Sequence, residues 1–211
     1  QDGHQEAADH LERALHIAQA TGNRDGEMRA LTNLGQVHRV QGRYQQAADH
    51  LERALHIAQT TGNRDGEMAS LSGLGYAHSA LGQHKLAVAY YDQALGLARE
   101  LGSGNWQFEA MHGLGRLHHA IGDQASALVH HQQALELATV LAQPADQARA
   151  HDGLAHAHHA KGQHEQARQH WQNAIDILTS LGTDHTEDTG ADVPTIRAHL
   201  ANLDQPQQRQ I

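Results

Sequence analysis

The sequence predicts an all-α protein, an α-solenoid of stacked helical hairpins. Three observations carry that expectation: a forty-residue internal repeat, apolar residues at helical spacing within each period, and a composition led by Ala and Leu. Residues 5–28 match residues 45–68 at all but two positions, Glu6/Gln46 and Ala20/Thr60. The same offset continues in weaker form as columns. These are Leu34, Leu74, Leu114 and Leu154; Gly35, Gly75, Gly115 and Ala155; Gly42, Gly82, Gly122 and Gly162; and Ala54, Ala94, Ala134 and Ala174. A fixed period of this length marks stacked supersecondary units, because one unit cannot bury its apolar stripe alone. Aromatic residues are only 3% of the 211, and Ala and Leu favour helix over strand.

Each period reads as two helices. Met28, Leu31, Leu34 and Val37 recur at helical spacing, and Gly42 closes that helix because glycine accepts the left-handed C-terminal conformation. Ala47, Leu51, Ala54, Leu55 and Ala58 form the stripe of the second helix, which Gly62 ends. Pro144 falls near a helix start, where its missing N–H costs nothing. Small residues such as Gly35, Ala47 and Ala54 let paired helices approach, and Leu34 and Leu51 fill the space between pairs. In order, the array is a leading half repeat at 2–22, with its helix at about 4–20, and full repeats at 23–62, 63–102, 103–142 and 143–182. An acidic linker at 183–191, expected to be mobile, leads to a capping helix at 192–204 and a disordered tail at 205–211. The chain starts inside a repeat, so a longer parent protein is expected.

Leu31, Leu34, Gly35, His38, Ala47, Leu51 and Ala54 occupy the seats of a known pattern, and so do Leu71, Leu74, Gly75, His78, Ala87, Tyr91 and Ala94. The sequence resembles the tetratricopeptide repeat (TPR) family over roughly residues 2–182. Two features depart from the family pattern. The period is 40 instead of about 34, and histidine replaces the usual aromatic after Leu-Gly in all four full repeats. The resemblance implies a right-handed solenoid whose first helices line a groove for a protein or peptide. The repeat text from Leu31 to Glu67 looks like two groups, and the terminal segment from Ala191 to Asp204 resembles the capping helix of the first. One is the C-terminal TPR region of actinobacterial antibiotic-regulatory activators of the SARP type and of STAND-type NTPases. The other is the spindle adaptors. The abundance of Ala, Arg and His and the scarcity of Lys favour the bacterial group. That likeness implies a regulatory or sensor segment of a transcription regulator or signalling NTPase.

The exposed faces of the first helices, by exclusion from the packing columns, give the candidate binding residues. They are Arg29, Asn33, Gln36 and Arg39; Ser72, Tyr76 and Ser79; His112, Arg116 and His119; and Arg149, Asp152, His156 and His159. Arginine donates two parallel hydrogen bonds to a carboxylate, so a partner of acidic character is expected. The alternative is that these are merely solvated helix faces.

Twenty-one histidines need an explanation. His38, His78, His118 and His158 read as flat rings packed between helices with one nitrogen hydrogen-bonded; the alternative function here is a histidine-based metal or pH sensor, since histidine titrates near neutrality. His10, His50, His130 and His170 form a second column on the outer helices, readable as repeat heritage. No spacing matches a zinc signature, and there is no cysteine. The glycines around Gly75 and Gly115 sit in helices with no strand before them, so they are not phosphate loops. No catalytic residue, cofactor or metal is expected. Trp106 and Phe108, near the loop joining the second and third hairpins, read as gap fillers or as an anchor for a partner.

Net charge is −9 and lysine occurs only at Lys85 and Lys161, so the basic face that nucleic acid or an anionic membrane would need is missing. The lack of cysteine fits a reducing cytoplasm. The leading half repeat would leave Leu11, Ala14, Leu15 and Ala18 partly exposed, which makes homodimerisation through it the main alternative function.

Overall fold

A left-handed backbone residue recurs every twenty positions. Gly22, Gly42, Gly62, Gly82, Gly102, Gly122, Gly162 and Gly182 all have φ between 65° and 84°, and Ala142 takes the same seat at 53°. Each ends a helix, where glycine carries no Cβ penalty. The next helix starts two residues later, so the forty-residue period consists of two equal halves.

The computed structural model describes residues 2–185 and 191–204, which contain ten helices. They are α1 Asp2–Thr21, α2 Arg24–Val40, α3 Tyr44–Thr61, α4 Arg64–Ala80, α5 His84–Glu100, α6 Gly104–Ala120, α7 Gln124–Val140, α8 Pro144–Ala160, α9 His164–Ser180 and α10 Val193–Asp204. Successive helices pack antiparallel, as expected for an all-α helical-repeat protein. Some starts carry a side-chain cap, while those of α3, α5, α8 and α9 have none. Asn23 and Asn63 accept the backbone N–H of Gly26 and Gly66, Asp123 that of Ser126, and Asp192 that of Thr195. The first helix begins two residues earlier than the spacing suggests. Trp106 and Phe108 lie in the first turns of α6, next to the loop before it. The expected tail at 205–211 and the middle of the linker, 186–190, lie outside the described residues. The flanks of that linker are tied, since Val193 N–H donates to the Asp184 carbonyl at 2.7 Å.

The chain divides into two compact units, Gln1–Gly113 and Leu114–Ile211. In the first, Met28 and Leu31 of α2 pack with Ala54, Ile57 and Ala58 of α3, and Leu15 of α1 leans on them. Ala47, Ala48 and Leu51 of α3 pack in turn with Leu74 and Ala77 of α4. The second unit centres on Trp171 of α9, fully buried with Ala148, Ala155, Ala167, Ala174 and Leu178, and closed by Val193 and Ile196 of α10.

One packing device repeats. A large side chain from the second helix of a hairpin stands over two glycines, one on its own first helix and one on the next. Leu51 covers Gly35 and Gly73, Tyr91 covers Gly75 and Gly113, and His131 covers Gly115 and Gly153; a Cβ on any of the six would fall under 3 Å from that side chain. In the fourth hairpin the knob is Trp171, and Ala155 replaces the glycine.

Candidate functional site

The faces of the first helices hold different chemistry in the two units. In the first unit, α2 leaves Arg29, Asn33 and Gln36 exposed, and Arg39 is half-buried. Arg39 lies over the Tyr76 ring of α4, with its guanidinium carbon 4.6 Å from the ring centroid, and its Nε donates to Gln36 Oε1 at 2.9 Å. Tyr44, the first residue of α3, tilts against Tyr76 at 6.3 Å. Ser72 and Ser79 flank Tyr76 on α4, both half-buried. This group combines a held guanidinium with two phenol rings, which is chemistry suited to a carboxylate or a peptide carbonyl. Sequence reasoning missed Tyr44, because it sits at the start of a second helix, outside the columns assigned to the groove.

In the second unit, Arg116 is exposed on α6 and His119 is half-buried, with Nδ1 2.8 Å from Gln124 Oε1. On α8, Asp152 accepts a hydrogen bond from Trp171 Nε1 at 3.1 Å and stands 3.5 Å from His156 Nε2. His156 touches the His119 ring at 5.9 Å and the Trp171 ring edge-on at 5.4 Å, and His159 meets Trp171 at 5.7 Å. The arrangement is completed by His199 of α10, stacked on Trp171 at 5.0 Å and edge-on to His156 at 4.9 Å. Here the expected open groove is different. His156 lies against His199 of α10, an aromatic contact that no column of the sequence announces.

Electrostatics follow burial. Burial pushes the Asp152 carboxyl up to about 7, against the Trp171 hydrogen bond that favours its charged form. Burial pulls His156 down to about 4, helped by the neighbouring His199, His119 and His159, and pulls His131 down to about 3. Near neutral pH, the cluster holds a carboxyl that titrates there beside the neutral imidazole of His156.

Two expected groove residues lie inside instead. His112 is buried and stacked on the fully buried Phe108 at 5.6 Å. Arg149 is buried with its guanidinium 3.0 Å from Asp146. Both lie on the side of the helix turned toward its neighbours, which exclusion from the main columns does not detect. Phe108 therefore fills space in the core, while Trp106 is half-exposed.

The two histidine columns form one device. His38 stacks on His50, His78 on Tyr90, His118 on His130 and His158 on His170, with ring centroids 5.1–5.3 Å apart. His78 and His158 also place Nδ1 against Gln83 and Gln163 five residues on, and His118 against Asp123. The flat-ring reading of the first column agrees with this packing. The second column supplies the partner ring, a role the sequence spacing did not reveal. Among the described residues no group of three or more His, Asp or Glu is placed to hold a metal ion, and no helix is long and apolar enough to cross a membrane.

Helical hairpins repeating every forty residues, with polar faces on their first helices, define a helical-repeat scaffold of the kind typical of protein–protein interaction. The chain belongs to the tetratricopeptide repeat family, whose models match residues 1–60, 66–139 and 148–173. Similar solved structures include BtubC from P. vanneervenii, with a TM-score of 0.72 and 23% identity over 87% of this chain and 76% of that one. A putative kinesin light chain from Podosopora anserina gives 0.67 and 21%, over 85% and 88%. A Rap protein complexed with Competence and Sporulation Factor gives 0.79 and 16%, over 87% of this chain and 52% of its own. At these identities the likeness is one of fold. No match is found among curated protein sequences.

Proposed function

We propose that this chain binds a protein or peptide of acidic character through the faces of its first helices, with Arg39 and Tyr76 at the centre of the site in the first unit. The observation that supports this reading is the Arg39–Tyr76 pair, braced by Gln36 and Tyr44, with Arg29 and Asn33 exposed on the same helix. A guanidinium held over a ring loses less freedom on meeting a carboxylate than a free one does. The fold of the Rap protein, which is similar, is recorded in complex with a factor, and that agrees with a binding role. The sequence resemblance further suggests a regulatory or sensor segment of a larger cytoplasmic transcription regulator or signalling NTPase. Repeats of this family are generally non-enzymatic scaffolds.

The test is a peptide array screened with the full chain, followed by titration of the best acidic ligand. Arg39→Ala and Tyr76→Ala should each weaken binding about tenfold or more. Affinity that is unchanged in both variants, or an array with no acidic ligand at all, removes the reading.

A further inference from the structure

The exposed face of α2 changes character along its length, and the change sorts what can lie on it. Arg29, Asn33, Gln36 and Val40 are all exposed, at offsets of four, seven and eleven that keep them on one face. The start of this stripe is polar and its end is apolar. Val40 is 48% exposed, is the last residue of α2 and directly follows Arg39. The apolar residues that α2 gives to the core, Met28 and Leu31, are buried on another face, so packing of the fold does not account for Val40. On α4, Tyr76 and Ala80 hold the seats of Gln36 and Val40 one repeat later, half-buried and exposed respectively. Tyr44, at the start of α3, tilts against Tyr76 at 6.3 Å. Arg39, over the Tyr76 ring, stands at the boundary between the polar and apolar ends.

We propose that the segment bound here carries a large apolar side chain within about three residues of its acidic group, since three extended residues span roughly 10 Å. The acid meets Arg39, and the apolar side chain covers Val40, Tyr44 and Ala80. This inference rests on the Arg39–Tyr76 reading and adds what must stand beside the acid. Charge says where the acid goes. The chain carries a net charge of −9, which repels an acidic segment in general, while Arg39 and Arg29 on α2 attract it locally. Apolar area says what accompanies it. A valine and phenol rings beside an arginine make the composition of a binding hot spot, where the rings and aliphatic groups lose water together with the ion pair.

The order of the two groups is fixed as well. A segment lying the other way would set its carboxylate against Val40 and Ala80 and its apolar side chain toward Asn33 and Arg29. The apolar residue therefore helps on one side of the acid only.

The test uses the full chain and fluorescent nonamer peptides of Ser and Gly with a central Glu pair, read by anisotropy. Leu or Ser stands at each of the three positions on either side of the pair. Leu on one side should tighten binding about tenfold over Ser, as burial of one such side chain allows. Val40→Ser, at an exposed position, should remove most of that gain and leave the Ser peptides as they were, whereas Arg39→Ala should weaken both kinds alike. Equal binding of Leu and Ser peptides, still weakened by Arg39→Ala, overturns this inference and leaves the Arg39–Tyr76 reading standing. A gain from Leu on both sides, or one untouched by Val40→Ser, also overturns it. Binding indifferent to Arg39→Ala removes the underlying reading and this inference with it. Light scattering of the chain alone covers the other occupant: a concentration-dependent dimer that Val40→Ser disperses would show that a second copy takes the site, against the proposal.

Discussion

Ala142 occupies a seat where every other turn of this set has glycine, at φ 53°. A Cβ in the left-handed region costs on the order of 1 kcal/mol, and the equivalent glycines have open space around them. Ala142→Gly should therefore raise stability by about 0.5–1 kcal/mol, read as a higher midpoint in urea. A second residue, His131, holds the knob position that Leu51 and Tyr91 hold elsewhere, buried between Gly115 and Gly153. Burial, with nearby His119, Arg116 and His130, pulls its imidazole down to about 3. The folded state thus refuses a proton that the unfolded chain accepts below about 6.5. The stability this contributes is complete above pH 6.5 and is lost as pH falls from there toward 3. His156 and His170, each pulled down to about 4, act in the same direction. Asp152, pushed up to about 7, acts oppositely: its neutral form favours the fold most below pH 4, and that benefit fades as pH rises to 7. Three histidines against one carboxyl predict a net loss of stability between pH 6.5 and 4. His131→Leu, which restores the Leu51 type of knob, should remove about 2 kcal/mol of the loss between pH 7 and pH 5. A pH profile of Tm as steep as that of the parent would refute the assignment.

Helix ends were legible in the sequence because capping is local. Glycine after the last apolar residue says where a helix stops, whatever it packs against. The helix faces were harder to read. His38 and His50 are twelve residues apart on different helices, and their stacking follows from the angle between the two helices, which no spacing rule gives. The same applies to α10. Its existence follows from the apolar residues Val193, Ile196, Leu200 and Leu203, but its seat over Trp171 depends on His199 reaching that ring. His199→Ala should loosen α10 while leaving α1 to α9 unchanged. Hydrogen exchange would show this as protection lost in residues 193–204 with protection kept in α8. Equal protection in parent and variant would mean that Val193 and Ile196 alone fix the helix.

Both units are built by the same rule of a large knob over small residues. The knob changes from Leu51 to Tyr91 to His131 to Trp171 along the chain, while the backbone period stays constant. The sequence alone determined the all-helical class, the forty-residue hairpin period and the glycines that end its helices. These depend on neighbours within one or two turns, which are written side by side in the chain. Tertiary structure decided which identical residues are covered. Ile17 and Ile57 share their sequence surroundings and differ only in whether another helix lies against them. It also decided that His156 sits against His199 of α10 while Arg39 rests on Tyr76. Burial and ring contacts are properties of what stands across a gap in space, and for those the position of a residue in its own repeat is silent.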